Sequence, residues 1–142
     1  MRVVEPGWPA RGLDGDRQQD LAVFRDGTWY VQGSAQGFMA VQFGLAGDIP
    51  QPADFDGDGN SDYAVYRGGI WYVQGSRLGF AALQFGVATD VPVTGDYDGD
   101  GKSDYAVFRP SDGNWYLFQS ASGVSVLRFG LAGDRPVPAQ SN

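Results

Sequence analysis

One block of sequence occurs three times in this chain at a spacing of 42 residues, and that repeat limits the possible folds more than any other feature. The copies begin at Leu13, Phe55 and Tyr97, each opening on an aliphatic or aromatic residue followed by Asp-Gly-Asp. Each runs through an Ala-Val-aromatic-Arg stretch and a Trp-Tyr pair to Phe-Gly, at Phe43-Gly44, Phe85-Gly86 and Phe129-Gly130. A link of the type LAGDIP, VATDVP or LAGDRP follows. The third copy is two residues longer, all of it between Arg109 and Trp115. A unit this short cannot bury an apolar face alone, so the copies must pack on one another. The chain reads as one repeat domain, 1–142, with repeats over about 10–52, 53–94 and 95–139.

Each copy divides into about four short strands. Tyr63 to Arg67 alternates large and small side chains. The turns Asp26-Gly27 and Gly68-Gly69 have the residue types of two-residue hairpins, and the third copy has a longer turn, Ser111 to Asn114. A Trp-Tyr strand follows (Trp29 to Gln32, Trp71 to Gln74, Trp115 to Gln119), then a strand ending in Phe-Gly. The Pro-containing link, Ile49 to Ala53, suits the first strand of the next unit, since proline is tolerated at edges and strand starts. Helical periodicity is absent. The predicted class is all-β: three tandem four-stranded repeats of about 42 residues, arranged as β-propeller-like blades. A β-trefoil-like or stacked threefold arrangement has the same spacing and is the alternative.

Composition narrows the chemistry. The net charge is −7, with ten basic residues scattered along the chain, which argues against nucleic acid and against an anionic membrane surface. No apolar run approaches membrane-spanning length, so membrane insertion is not expected. Cys and His are absent, which removes disulfides, thiolate chemistry and the usual zinc ligands. Of 17 acidic residues all but Glu5 are Asp, and eleven of the Asp fall in three loops. Asp is the short carboxylate favoured in turns and in tight oxygen-ligand loops.

The second loop carries Asp54, Asp56, Asp58 and Asp62, and the third carries Asp96, Asp98, Asp100 and Asp104. Carboxylates stand at positions 1, 3, 5 and 9 with glycine (Gly59, Gly101) at 6. Alternating Asp residues converge on one ion only if the chain turns sharply, which glycine permits. Asn60 and Lys102, at position 7, would contribute backbone carbonyls. Four carboxylates so spaced repel one another without a cation, and a six-to-eight oxygen set suits Ca²⁺ better than Mg²⁺. The first copy departs: Gly12 stands at position 1 and Arg17 at position 6, so Asp14, Asp16 and Asp20 form a weak or degenerate site. Asx-turns on a solvated surface are the competing explanation of such loops.

At these residues the chain resembles the FG-GAP and VCBS-type repeats of bacterial surface proteins and of the integrin α-subunit propeller. The resemblance is carried by the two intact Asp loops with their Tyr-Ala-Val-aromatic-Arg continuation, and by the links Phe43 to Pro50 and Phe129 to Pro136. It implies a β-propeller with structural calcium in the loop between the first two strands of a blade. It also implies a module for adhesion or ligand binding, to proteins or glycans. Propellers have four to eight blades, so three repeats point to a piece of a longer propeller, a homo-oligomer completing a larger one, or another packing. Partial first strands at both ends, Val3 to Ala10 and Arg135 to Ala139, favour the homo-oligomer.

Arg25, Arg67 and Arg109 recur, as do Asp48, Asp90 and Asp134, and read as structural pairs between neighbouring units. Trp29, Trp71 and Trp115 read as core rather than as sugar platforms, and Trp8 as a cover for one end. No enzyme is expected: every clustered carboxylate is explained by calcium, and catalytic groups are seldom repeated threefold. Two functions remain, a calcium-stabilised structural or protein-interaction module and a multivalent carbohydrate-binding protein; a truncated or designed fragment without a natural ligand is a third reading. Calcium points to an extracellular or cell-surface setting. The opening residues lack the apolar core of a signal peptide, which leaves a cytoplasmic chain, or a mature form or excised piece of a secreted protein.

Overall fold

A computed structural model describes residues 2–3, 21–33, 37–75, 79–119 and 122–137. Trp8, Asp14, Asp16 and Asp20 lie outside the described residues. The described strands form three four-stranded antiparallel sheets, each a meander in chain order. The first holds β1 (Arg2–Val3), β2 (Leu21–Arg25), β3 (Thr28–Gly33) and β4 (Gly37–Gln42). The second holds β5 (Ile49–Pro50), β6 (Tyr63–Arg67), β7 (Ile70–Gly75) and β8 (Gly79–Gln84). The third holds β9 (Val91–Pro92), β10 (Tyr105–Arg109), β11 (Asn114–Gln119) and β12 (Gly123–Arg128). No ladder joins two sheets among the described residues, so each repeat forms a sheet of its own.

The β2–β3 and β6–β7 hairpins turn through Asp26-Gly27 and Gly68-Gly69, all four at positive φ, the twist that a tight hairpin needs. The second turn glycine has a further role. A Cβ on Gly27, Gly69 or Gly113 would lie 2.5, 2.7 or 2.4 Å from the carbonyl oxygen of Gly44, Gly86 or Gly130. Turn and Phe-Gly segment are thus packed backbone to backbone, which ties together two recurrent features of the sequence.

The fourth strand stops one residue before the expected Phe, at Gln42, Gln84 and Arg128. The Phe carbonyls instead accept the indole N–H of Trp29 (2.9 Å), Trp71 (2.9 Å) and Trp115 (2.8 Å). The first strand is also shorter than Ile49 to Ala53. Beyond it, Gln51 and Val93 N–H still bond to the Ala64 and Ala106 carbonyls (2.8 and 2.9 Å), and further pairing is confined to the single bridges Ala53↔Asp62 and Gly95↔Asp104. At the chain ends, Arg2–Val3 pairs with β2, whereas Arg135 to Val137 is not a strand. Residues 4–10 and 138–139 of the two expected end strands lie outside the described residues.

Strand alternation gives each sheet two faces. Phe24, Trp29 and Val31 of the first sheet pack against Val65, Tyr63 and Tyr72 of the second. Tyr66 and Trp71 of the second pack against Val107, Tyr105 and Tyr116 of the third. Trp29 meets Tyr63 edge to face at 5.3 Å between ring centres, and Trp71 meets Tyr105 in the same way at 5.3 Å. Both indoles are fully buried, so they are core. Buried Asp48 grips Arg67 through two bonds of 2.6 and 2.7 Å, and buried Asp90 grips Arg109 at 2.8 and 2.9 Å. The same carboxylates accept the N–H of Leu45 and Val87, so each pair fixes a link on the next sheet. Asp134 accepts the N–H of Leu131 in the same manner but is exposed and meets no guanidinium among the described residues.

Trp71→Ala should therefore cost about 3–5 kcal/mol in denaturant unfolding, and Trp115→Ala, at a partly exposed indole, clearly less. Burial first, and the Asp90 charge second, push the Tyr66 hydroxyl from 10.0 up to about 12. The folded state then holds a proton that the unfolded state releases. Stability from this group is complete below pH 10 and should fall as pH rises toward about 12. Unfolding measured across that window should show a shallower pH slope in Tyr66→Phe.

Candidate metal centres

The loops carrying the intact Asp series, 54–62 and 96–104, connect β5 to β6 and β9 to β10. Each is closed at its neck by a backbone bond, Asp62 N–H to the Ala53 carbonyl (2.7 Å) and Asp104 N–H to the Gly95 carbonyl (2.6 Å). Inside the neck the first Asp organises the turn. Asp54 accepts the N–H of Gly57 (2.7 Å) and Gly59 (2.8 Å) on its two oxygens. Asp96 accepts Gly99 (2.8 Å), Asp100 (3.2 Å) and Gly101 (3.0 Å). Asp58 and Asp100 accept the N–H of Asn60 (2.9 Å) and Lys102 (3.0 Å), the two position-7 residues. The last Asp closes the loop: Asp62 accepts Phe55 N–H (2.8 Å) and Asp104 accepts Tyr97 N–H (2.7 Å).

This wiring needs two left-handed glycines per loop. Gly59 and Gly101, both at φ +88°, are the ones that the position-6 rule identifies. Gly57 (φ +79°) and Gly99 (φ +73°), at position 4, were not singled out by the sequence reading. Their signal was present in the repeated Asp-Gly-Asp-Gly, where both glycines recur together.

The result is convergence. One carboxylate oxygen each from Asp54, Asp56, Asp58 and Asp62 lie within 4.8 Å of one another, and so do those of Asp96, Asp98, Asp100 and Asp104. Asp56, Asp62 and Asp104 are buried, Asp54, Asp58, Asp96 and Asp98 are half-buried, and Asp100 is exposed. Burial holds the Asp54 carboxyl above its ordinary range, with the Asp58 charge and the Asp56 contact adding to it; the Gly59 and Gly57 N–H groups oppose the shift. Asp56 touches Asp54, yet its Oδ1, like Asn60 Oδ1 and Asp98 Oδ1, is buried and accepts no hydrogen bond. Buried acceptor oxygens without donors, gathered among like charges, fit a cation. The donor set is all oxygen, so either cluster can hold a hard metal ion.

The two loops also touch. Ser103 N–H donates to the Asp54 carbonyl at 2.7 Å. The aliphatic stem of Lys102 covers Gly57, where a Cβ would come within 3.0 Å of it.

Separate jobs for the carboxylates give separable mutants. With a chelator present, Asp54→Ala should lose about 1–3 kcal/mol, because two loop N–H groups lose their acceptor. Asp56→Ala, which removes one of four mutually repelling carboxylates, should cost less stability than Asp54→Ala under the same conditions. Denaturant unfolding of both variants in chelator checks this.

Comparison with protein-family models, with curated proteins and with solved structures returns no match, so the likeness to FG-GAP and VCBS-type repeats rests on the residues quoted above.

Proposed function

We propose that this chain is a calcium-binding repeat protein of the β-propeller type, acting as a structural or protein-interaction and adhesion module in an extracellular or cell-surface setting. The observation that carries the reading is the pair of matched carboxylate clusters, in register with the 42-residue repeat and wired by the same hydrogen bonds. Chance acidic surface would not place the same carboxylates on matching loop N–H groups in two repeats. Calcium is the ion of choice because each loop offers four carboxylates and further oxygens, whereas magnesium prefers a smaller, partly hydrated octahedron. Asp54, Asp56, Asp58 and Asp62 would hold one ion and Asp96, Asp98, Asp100 and Asp104 the other, with carbonyls from Asn60 and Lys102. Two Ca²⁺ would take the net charge from −7 to −7 + 4 = −3.

The chemistry supplied by the ion is cross-linking. Asp62 and Asp104 directly precede Tyr63 and Tyr105, the rings that close over Trp29 and Trp71. A bound ion would therefore brace the start of each strand that seals an interface. Burial of Trp29 and Trp71 between sheets favours the structural module over the carbohydrate-binding alternative. The reading is non-catalytic, each cluster being a copy of the other.

Thermal unfolding in excess EDTA and in millimolar calcium tests this. An ion that binds only the folded state raises stability by about 2.7 kcal/mol per site at a hundredfold excess over the dissociation constant. The melting temperature should rise with calcium, and the rise should vanish in Asp56→Ala/Asp98→Ala. An unchanged melting temperature in the parent chain would contradict the reading.

A further inference from the structure

Two bridges join the 54–62 loop to the 96–104 loop, and each bridge ends on carboxylates of both candidate sites. The first bridge is polar. Ser103 is buried, and its N–H donates to the Asp54 carbonyl at 2.7 Å. That N–H and the Lys102 carbonyl belong to one planar peptide unit. Among the described residues no peptide is cis, so the two groups point in opposite directions. A unit whose N–H faces Asp54 therefore turns its carbonyl away from the 54–62 loop, as a ligand of the other ion must. The Lys102 side chain adds to the contact. Three carbons of its stem lie 3.0, 3.1 and 3.5 Å from the place a Cβ on Gly57 would take. Gly57 N–H in turn donates to Asp54 Oδ1 at 2.7 Å. Lys102 and Ser103 thus steady Asp54 at its backbone carbonyl and, through Gly57, at its carboxylate.

The second bridge is aromatic. Phe55 of the 54–62 loop stacks on Tyr105, with ring centres 4.8 Å apart and planes 16° from parallel. Both rings pack on the buried cluster that holds Trp71 and Val107. Phe55 N–H donates to Asp62 at 2.8 Å, and Tyr105 directly follows Asp104. The closing carboxylates of the two clusters are therefore linked through one hydrogen bond and two stacked rings.

Closing a loop on a cation costs conformational entropy. Where two loops share contacts, the one that closes first has already ordered part of the other, so the second ion binds more tightly. Charge alone works the other way, because a filled loop is less negative than an empty one and attracts the next cation less. We propose, on the calcium reading above, that contact outweighs charge here and the two sites fill cooperatively. An ion in the 96–104 loop raises the affinity of the 54–62 loop, and the reverse holds by the same factor, as linkage requires. The expected factor is about fivefold or more.

Isothermal titration calorimetry with calcium chloride tests this, in about 0.15 M salt, where longer-range repulsion is screened. Asp98→Ala leaves the 54–62 site and Asp56→Ala leaves the 96–104 site. The product of the two stepwise association constants of the parent chain should exceed the product of the two single-site constants by about fivefold or more. If either variant fails to fold, Asp100→Ala and Asp58→Ala, at less buried side chains, take their places. The cycle is then repeated in a Phe55→Leu/Lys102→Ala background, which keeps all the carboxylates and strips side-chain contact from both bridges. There the excess should shrink. Equal products in the parent cycle, or a smaller parent product, would overturn cooperativity and leave two independent calcium sites. An excess left whole without the bridge side chains would overturn it as well, because the coupling would then not run through these contacts. No calcium bound by the parent chain would instead contradict the calcium reading itself, and this proposal with it.

Discussion

The structure depends on one tryptophan per repeat. Its indole N–H is spent on the Phe carbonyl of its own sheet, and in the first two repeats its ring is sealed by a tyrosine of the next sheet. The first bond locks the hairpin turn, the Phe-Gly segment and the fourth strand into one unit. The second makes burial of that unit conditional on a neighbour. Strands of five or six residues, with a first strand of only two, bury too little apolar surface for any sheet to stand alone. Stability therefore belongs to interfaces between sheets, as in other repeat proteins.

The candidate metal loops sit where they act on those interfaces. Each loop ends at a buried Asp whose next residue is the sealing tyrosine, and each begins just after a proline-interrupted first strand. That strand pairs at only two positions, so the β5–β6 and β9–β10 connections are the shortest ladders of their sheets. A cation held by four carboxylates would close the seam that the short ladder leaves open. The Ser103–Asp54 bond carries the same bracing from one loop to the next.

Much of this was legible in the residues. The strand count, the positive-φ turns at Asp26-Gly27 and Gly68-Gly69, the Arg–Asp pairs and the convergence of the Asp series all follow from local spacing. Two details were not, because they depend on competition between groups distant in sequence. The fourth strand ends early since the Phe43 and Phe85 carbonyls are claimed by indoles 14 residues away. The first strand is two residues in both repeats although Pro52 of one is Thr94 in the other, so proline alone does not set its length. The difference between Phe43, Phe85 and Phe129 is legible only in three dimensions: they look alike in sequence, yet the first two are half-buried and Phe129 is exposed.

Equilibrium dialysis against calcium, with the bound ion counted per chain, reaches the core of this account. Two ions per chain in the parent protein, and none in Asp56→Ala/Asp98→Ala, is the expected result, the damaged Asp14–Asp20 loop adding no third ion of comparable affinity. No calcium retained by the folded parent chain at millimolar concentration would contradict it.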